Sequence, residues 1–360
     1  MKRHLLILCV YPPDRVPGQR FRFEQYLDRL TAAGYSITFA NLFNEQDYNI
    51  FMSHGKFLAK AWITFRALLR RIRLCASVRN YDVALIYREA FIVGPPWIEK
   101  YIARRVPCVY DFDDAIWLKD MSDHNRTFSF LKNTAKIGVI MSKCRVVVAG
   151  NPYLAEFAGK HNPEVRIIPS TIDSDKYQCT SRQSDGRVCI GWSGSGSTIR
   201  FFKQMLPVLE RIKARFGDRV YFKVIADRAY KFEGIDNVAC AWSSATEVED
   251  LCELDIGIMP LTDDPWSKGK CGMKGLQYMA LGIATVMSPV GVNTEIIREG
   301  VNGLLADSDE EWFEKLSRLI EDDALRKSLG EAGRKTVAES YSTNANAARW
   351  IDVFNYATGK

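Results

Sequence analysis

The segment that most constrains the fold is residues 254–300, because it reads as a strand, a basic loop, a helix, another strand and a second glycine turn. Ile256 to Met259 form a short apolar run that ends at Pro260, and proline lacks the backbone donor needed to continue a strand. Apolar residues then recur at helical spacing at positions 276, 279, 280 and 283. This order is typical of an α/β domain.

The loop inside this segment has the composition of an anion site. Lys268, Lys270 and Lys274 surround a backbone that Gly269 and Gly272 leave accessible, beside the first-turn N–H groups of the following helix. We therefore expect the loop to hold a diphosphate. The alternative is a solvated loop whose lysines only increase solubility.

Length and composition predict two soluble domains. At 360 residues the chain exceeds the size at which one core usually stops growing, and its 47% hydrophobic and 26% charged content is ordinary. Nine cysteines without a CxxC pair predict reduced thiols in the cytoplasm and no metal site. The first apolar run is too short for a signal sequence, and no stretch is long enough to span a membrane.

Short β-branched or apolar runs alternate with helical patterns in two series. The predicted strands are Leu5–Val10, Ile37–Phe39, Val83–Tyr87, Cys108–Asp111, Val146–Ala149 and Val165–Ile168, then Val188–Trp192, Tyr221–Ile225, Val238–Cys240, Ile256–Met259 and Ala284–Met287. They predict parallel sheets in two domains, 1–172 and 188–342, joined by a polar linker at 173–187. The loops at 12–19, 111–117, 193–198 and 262–275 follow strands, so we expect them to face one cleft.

The sequence IGWSGSGST leaves a strand and enters a helix near Ile199, with Ser197 or Thr198 expected as its N-cap. Ile199 occupies the third glycine position of the dinucleotide fingerprint, which disfavours a nicotinamide enzyme. The Lys-Ser/Thr ending of a nucleoside triphosphatase loop is also missing. A flexible Gly/Ser turn remains the alternative to a ligand site.

Together these motifs resemble the family 4 retaining glycosyltransferases of the GT-B fold. Over residues 188–342 the resemblance rests on GWSGS, DIGIMPL, the W-x-K-x-K-x-x-x-K loop, LQYMALGIATVMSPVGVNTEII, EGVNGLL and LRKSLGEAGRKTV. Residues 1–170 carry weaker matches in YPPDRVPGQRFRFEQYL, VPCVYDFDDAIW and VRIIPSTIDSDKY.

The resemblance implies an α/β chain with two Rossmann-like domains whose parallel sheets face a central cleft. The second domain would hold a nucleotide-diphosphate sugar as donor, and the first would hold a hydroxyl acceptor. No cofactor and no metal would be needed. A C-terminal helix at 343–360 would pack back on the first domain.

Two positions depart from the resemblance. The family commonly has two glutamates eight positions apart, and here Gly269 and Gln277 occupy those positions. The Gln277 amide is expected to take over the ribose contact, and Glu295 is left as a nearby carboxylate. The donor-binding residues are then predicted to be Gly18, Arg20, Ser193, Gly194, Ser195, Thr198, Trp242, Lys270, Gly272, Lys274, Gln277, Asn293 and Glu295.

The catalytic candidates follow from the charges that develop during transfer of the sugar. Lys270 and Lys274 are expected to stabilise the leaving diphosphate. Asp113 or Asp114, in DFDDAIW, is expected to orient or deprotonate the acceptor hydroxyl. A metal site at these aspartates is less favoured than hydrogen bonding or helix capping.

One further arginine, Arg22, and one further aspartate, Asp111, belong to these predictions. Arg20 or Arg22, near Gly18, is expected to contact phosphate or acceptor. Asp111 belongs to the same acidic cluster as Asp113 and Asp114.

Residues 56–79 contain seven basic residues and no acidic one. Their apolar residues on one helical face are Phe57, Ala61, Phe65, Leu68, Leu69, Ile72 and Ala76. Either this face packs on the first sheet, or the helix lies on the anionic inner surface of the cytoplasmic membrane. With a net charge of +6, the second interpretation fits a lipid-linked acceptor. Nucleic acid is disfavoured because its recognition motifs are absent.

The function hypothesis is a retaining glycosyltransferase that acts on a lipid-linked or cell-surface glycan. The alternatives are a nucleotide-sugar epimerase of GT-B shape and a non-catalytic nucleotide-sugar-binding protein.

Overall fold

The computed structural model describes residues 2–53, 55–118, 134–179 and 186–359. The chain divides into two compact units. The first comprises Met1–Ser170 and Asn346–Lys360, and the second comprises Thr171–Ala345.

The first unit is a six-stranded parallel sheet with helices between its strands. Its strands are β1 (Arg3–Cys9), β2 (Tyr35–Asn41), β3 (Val83–Tyr87), β4 (Cys108–Phe112), β5 (Val146–Ala149) and β6 (Val165–Ile167), in the order β2-β1-β3-β4-β5-β6. Its helices are α1 (Pro17–Arg22), α2 (Leu27–Ala32), α3 (Glu45–Met52), α4 (Phe57–Ser77), α5 (Trp97–Ala103), α6 (Lys136–Met141) and α7 (Pro152–Gly159).

The second unit is also a six-stranded parallel sheet. Its strands are β7 (Val188–Ser193), β8 (Val220–Ala226), β9 (Asn237–Ala241), β10 (Ile256–Met259), β11 (Ala284–Met287) and β12 (Leu304–Leu305), in the order β12-β11-β10-β7-β8-β9. Its helices are α8 (Ile199–Gln204), α9 (Leu206–Phe216), α10 (Glu247–Cys252), α11 (Pro265–Lys268), α12 (Met273–Ala280), α13 (Asn293–Ile296), α14 (Asp309–Glu321) and α15 (Asp323–Thr336). This strand order is that of a Rossmann sheet.

The predicted strands are confirmed to within one or two residues at each end, and β12 was missed. Strands such as β3, β4 and β10 are buried at every position, as expected when helices cover both faces of a parallel sheet. Helix α12 ends at Ala280, before the predicted Ile283, because Gly282 adopts φ 67° and stops the helix.

The last helix, α16 (Thr343–Ala357), follows a π-helical segment at Val337–Tyr341 and carries the chain back to the first unit. Trp350 is almost fully buried, and its ring centroid lies 6.0 Å from that of Tyr26. Phe354 packs beside Tyr35 at 5.7 Å. The apolar side of α16 therefore belongs to the core of the first unit.

Helix α4 packs in an unusual way. Only Ile63, Ala67 and Arg71 are buried along its length. The Arg71 guanidinium donates to the carbonyls of Cys9 (2.8 Å) and Ala90 (2.8 Å), and also to that of Ala40, so one cation joins the ends of β1 and β2 to the loop after β3. Burial lowers the pKa of Arg71 to about 10, at which it remains charged at neutral pH.

The opposite side of α4 is an exposed apolar stripe. We call it the α4 stripe: Leu58, Trp62, Phe65, Leu69 and Ile72, spaced at i, i+4, i+7, i+11 and i+14. Leu58 is 89% exposed, and the rings of Trp62 and Phe65 stack at 5.9 Å. Of the two interpretations of this segment, packing of its apolar face on the sheet is therefore wrong, because Arg71 anchors the other face. In the described part of the chain, no helix is both long and apolar enough to cross a membrane.

One expectation about the cysteines is corrected. Cys179 and Cys252 form a disulfide with their Cα atoms 5.7 Å apart, so the nine thiols are not all reduced. The pair is separated by 73 residues, a spacing that carries no local signal. The disulfide also attaches part of the predicted linker to the second unit, which begins at Thr171. Residues 180–185 of that linker lie outside the described residues.

Candidate active site

The strand order of the second sheet reverses between β7 and β10. These strands are hydrogen-bonded neighbours although they are the first and fourth strands of the unit. The loops after two such strands leave a crevice in which α/β proteins bind ligands. Here those loops are 193–198 and 260–272. Both lie among the loops that the sequence predicted to bind ligand.

The loop after β7 is tied to helix α12 by Ser193. The Ser193 backbone N–H donates to the Tyr278 hydroxyl at 2.8 Å, and the two hydroxyls lie 3.1 Å apart. Burial raises the pKa of Tyr278 to about 12, so its hydroxyl stays protonated. The Trp192 ring fills the space that a side chain at Gly194 would need. Ser193 and Gly194 are thus fixed beside α12.

The predicted cap of helix α8 is wrong in detail. Thr198 stands at the N-cap position but has helical backbone angles, φ −109° and ψ −4°, and its side chain caps no helical N–H. Its hydroxyl instead accepts the Ser195 N–H at 3.0 Å. This local turn competes with capping, as Ser and Thr side chains often do.

The lysine loop is organised by tryptophans. Lys270 Nζ lies 4.6 Å from the Trp266 ring centroid, and Lys274 Nζ lies 5.7 Å from the Trp192 centroid. Lys268 forms an ion pair with Asp263 at 3.0 Å. Because Trp192 also borders Gly194, the structure brings Lys274 to the loop after β7.

Helix α12 begins at an N-cap glycine in the left-handed region, Gly272 with φ 68°. No side chain caps its first turn, whose N–H groups have no partner within the helix. A Cβ at Gly272 would lie 3.4 Å from Asn293 Oδ1, so the two predicted residues are adjacent. Asn293 is buried, and its Nδ2 donates to the Ser288 carbonyl at 3.0 Å while Oδ1 accepts no hydrogen bond from the described residues. Donors and an acceptor therefore lie together at this helix end.

One turn further along α12, Gln277 belongs to a polar cluster that we call the Glu247 cluster: the buried Tyr177, Glu247 and Gln277 and the half-buried Trp242. Gln277 Nε2 donates to the Tyr177 hydroxyl at 3.0 Å and to Glu247 Oε1 at 3.1 Å. Tyr177 donates to Glu247 Oε2 at 2.7 Å, and Trp242 Nε1 donates to Oε1 at 2.9 Å. The predicted Trp242 and Gln277 are thus joined by a carboxylate that the sequence did not single out.

Sequence reasoning missed Glu247 and Tyr177 for identifiable reasons. Glu247 stands in the first turn of α10, where a glutamate is favoured by the helix dipole alone. Tyr177 lies in the predicted linker. The remaining predicted carboxylate, Glu295, is exposed on α13.

The first sheet has its own point of reversal between β1 and β3. The loop after β1 leads to Gly18, and β3 ends at Tyr87. A Cβ at Gly18 would lie 2.3 Å from the Tyr87 hydroxyl and 3.2 Å from Asp113 Oδ2. Only glycine allows this approach, so the predicted Gly18 and Asp113 do come together.

Asp113 is held by two residues that sequence reasoning did not select. Its Oδ1 accepts from the Tyr87 hydroxyl at 2.8 Å and from Arg88 Nε and Nη2 at 3.0 and 2.7 Å. Burial raises the pKa of Asp113, but the charge of Arg88 and these hydrogen bonds lower it more, and the result is below the ordinary value. Arg88 has φ 60°, a strained conformation of the kind that clusters at functional sites.

Asp114 and Arg20 are arranged differently. Asp114 Oδ1 accepts the Ala115 N–H at 3.1 Å, and Oδ2 lies 4.0 Å from Arg88 Nη2. Arg20 is largely buried, with Nε 3.5 Å from Asp14.

The predicted ligand role of Arg22 is wrong, as is the placement of Asp111 in the reactive cluster. The Arg22 guanidinium binds both oxygens of Asp111, at 2.6 and 3.2 Å, and donates to the Ile168 carbonyl at 2.6 Å. Both side chains are fully buried. This pair supports the sheet and is closed to a ligand.

Residues 212–336, which include the lysine loop and α12, match the family model described as Glycosyl transferases group 1. These residues form a group 1 glycosyltransferase domain. The D-inositol 3-phosphate glycosyltransferase of a Nocardioides species is 33% identical over 88 residues. That alignment covers 24% of this chain and 19%, about a fifth, of the relative.

Solved structures extend the likeness to the whole chain. A glycosyltransferase from Rickettsia africae superimposes with a TM-score of 0.70 at 12% identity, covering 100% of this chain and 99% of that one. The Anabaena protein HepE in complex with UDP-glucose gives a TM-score of 0.67 at 12% identity, covering 98% and 99%. At such identities the likeness establishes the fold. The predicted GT-B fold, with two Rossmann-like domains, is confirmed.

Proposed function

We propose that this chain is a retaining glycosyltransferase that moves a sugar from a nucleotide-diphosphate sugar to a hydroxyl on a lipid-linked or cell-surface glycan. The observation that carries the proposal is the arrangement of Lys270, Lys274 and the α12 N-terminus at the strand reversal of a group 1 glycosyltransferase domain. The resemblance to family 4 supports retention of the anomeric configuration. The enzyme would work in the cytoplasm, where nucleotide sugars are available.

The donor site accounts for departure of the diphosphate. When the sugar–phosphate bond breaks, negative charge grows on the leaving phosphate oxygen. Uncapped N–H groups of α12 and two fixed ammonium groups stabilise that charge without having to reorganise. Gly272 lets the phosphate approach this backbone closely.

The acceptor site would be the Asp113 cluster of the first unit. Because the pKa of Asp113 is held below its ordinary value, this carboxylate is a weak base. It is better suited to orienting the acceptor hydroxyl and to stabilising positive charge on the transferred sugar. Asp114, whose Oδ1 accepts the Ala115 N–H and whose Oδ2 lies 4.0 Å from Arg88 Nη2, is the alternative carboxylate for the proton.

The α4 stripe supports peripheral association with an anionic membrane. Its five large apolar side chains are exposed, and the same helix carries Arg66, Arg70 and Arg73 on its flank. An interfacial helix needs both features, since the apolar face enters the acyl boundary while the cations contact anionic headgroups. A bound membrane would also supply a lipid-linked acceptor.

The function is tested with a panel of UDP, GDP, ADP, CDP and dTDP and their sugars. A diphosphate that binds only the folded protein raises its melting temperature. We then expect transfer of the matching sugar to a lipid-linked acceptor, with NMR showing the anomeric configuration retained. Interconversion of the free nucleotide sugar would favour an epimerase. A thermal shift without turnover would favour a binding protein, and no shift with any diphosphate would refute the donor site.

Membrane association is tested by sedimentation with phosphatidylglycerol vesicles. Arg66 and Arg70 also bind Asp47, at 3.3 and 2.6 Å, so their reversal would disturb the fold. The better variant is Trp62→Ser with Phe65→Ser. We expect it to release the protein from vesicles, while Val301→Ser, another exposed apolar position, changes nothing. Equal pelleting of all three proteins would exclude the α4 stripe as a membrane contact.

A further inference from the structure

The hydrogen bonds of the Glu247 cluster determine what Gln277 can offer to a ligand. A side-chain amide has two N–H hydrogens and one carbonyl oxygen. Both hydrogens of Gln277 are used, one by the Tyr177 hydroxyl and one by Glu247 Oε1. The group that remains for a ligand is the carbonyl oxygen, an acceptor.

The orientation of this amide is fixed by charge. Rotating it by half a turn would set its carbonyl oxygen against the Glu247 carboxylate, which only accepts hydrogen bonds. The Tyr177 hydroxyl donates its single hydrogen to Glu247 Oε2, so it could not also donate to the rotated carbonyl. Two acceptors would then face each other in a buried site, which is costly.

The two residues that hold the amide are themselves linked covalently. Tyr177 and Cys179 lie on one segment, and Glu247 and Cys252 lie at the two ends of α10. The disulfide therefore joins the segment that carries Tyr177 to the helix that carries Glu247, close to the hydrogen bond between these two residues. Lys223 Nζ, on strand β8, also binds the carboxylates of Asp250 on α10 at 3.1 Å and of Glu253, directly after α10, at 2.8 Å.

We propose that Glu247 and Tyr177 are positioning residues that lock the Gln277 amide, so that its carbonyl oxygen accepts a hydrogen bond from a sugar hydroxyl of the nucleotide donor. The inference rests on the proposed function, because Lys274 must hold the diphosphate. Gln277 follows Lys274 by three residues, so the two lie on neighbouring positions of α12, about one turn apart. The ribose and the transferred sugar both adjoin the diphosphate and both carry hydroxyls.

The lock also explains how a glutamine can serve where the related sequences have a glutamate. A glutamate would offer a charged acceptor oxygen. Here the ligand meets a neutral acceptor, and the negative charge lies one layer behind it, on Glu247. Without Glu247 and Tyr177, the amide would be free to present its N–H groups instead, and a hydroxyl donor would lose its defined partner.

The test is discrimination between hydroxyl and deoxy ligands, measured as Kd by calorimetry. In the ribose arm, UDP is compared with 2′-deoxy-UDP and 3′-deoxy-UDP. In the sugar arm, UDP-glucose is compared with its deoxyglucose analogues. A buried acceptor that loses its donor weakens binding roughly five- to 150-fold, so the wild type should discriminate by that factor in one arm.

Variants separate positioning from mere stability. Glu247→Gln and Tyr177→Phe should each remove most of the discrimination while the protein still binds the diphosphate. The matched control is Glu253→Gln, another carboxylate at the end of α10 that binds Lys223, and it should behave as the wild type.

Each result decides. If the wild type binds UDP but its discrimination is the same in all variants, or absent in both arms, the lock is refuted and the donor site stands. If the wild type binds no nucleoside diphosphate, the donor site fails and the lock fails with it. Should Glu247→Gln fail to fold, Tyr177→Phe, which removes one oxygen atom, gives the same readout.

Discussion

Replacing the two lysines of the donor loop separates binding from folding. Lys270→Ala and Lys274→Ala each remove one charged donor to a phosphate oxygen, an interaction worth about 1.5–3 kcal/mol. At about 1.4 kcal/mol per tenfold change, each variant should bind the diphosphate roughly 10- to 150-fold more weakly. The stability cost should be smaller, because the contact of each lysine with a tryptophan face contributes about 0.5–1 kcal/mol at exposed sites.

The matched control is Lys268→Ala. Lys268 lies in the same loop but is paired with Asp263 and is 43% exposed, so its loss should change affinity little. Affinities are measured by calorimetry with the diphosphate that shifts the melting temperature most, at low and high salt, since screening should reduce the difference. The reasoning is refuted if Lys268→Ala weakens binding as much as the other two, or if melting falls while affinity stays the same.

Three further predictions concern the rest of the chain. Asp113→Asn should lower turnover more than donor affinity. Arg88 depresses the pKa of Asp113, so the contribution of this carboxylate to stability is complete above the ordinary aspartate pKa and is lost only as pH falls through the lower pKa of the folded state. The pH–rate profile of the wild type should therefore show no ionisation of Asp113 between about pH 5 and 8. Reduction of Cys179–Cys252 should cost about 4 kcal/mol by the loop-entropy model for its 73-residue separation, seen as a lower melting temperature in dithiothreitol, and Cys252→Ser should melt alike with and without reductant. Arg71→Leu should destabilise the protein to urea by about 3 kcal/mol or more, since it removes a charged donor from two buried hydrogen bonds and one half-buried hydrogen bond; an unchanged midpoint would contradict that role.

The sequence was informative wherever the signal was local. Runs such as Val83–Tyr87 and Val146–Ala149 are buried on both faces, so their apolar character is continuous and their ends are visible. The two-residue strand Leu304–Leu305 is too short to produce such a run. Helix α4 shows a different limit. Its periodicity identified an apolar face, but the face that packs inward is defined by Arg71, a residue whose type predicts the surface.

The residues of the candidate site also divide into those with a local sequence signal and those without one. Lys270, Gly272 and Lys274 could be predicted as candidates because the loop and the start of the helix are contiguous in sequence. Glu247 and Tyr177 could not be, since their contacts with Gln277 span 30 and 100 residues and neither residue type is unusual for its local element.

The departure from the glutamate pair was visible in the sequence, yet its compensation was not. A substitution that removes a carboxylate from a motif reads as a loss of function when only neighbouring positions are compared. In the folded domain, the Glu247 carboxylate reaches the same helix turn from another element and orients the amide that replaced the glutamate. Hydrogen-bond chemistry thus favours retained donor binding over a lost donor site, because a locked amide and a carboxylate both present an acceptor oxygen to a hydroxyl. Discrimination between hydroxyl and deoxy ligands by Glu247→Gln and Tyr177→Phe, compared with the control Glu253→Gln, is the measurement on which this reasoning depends.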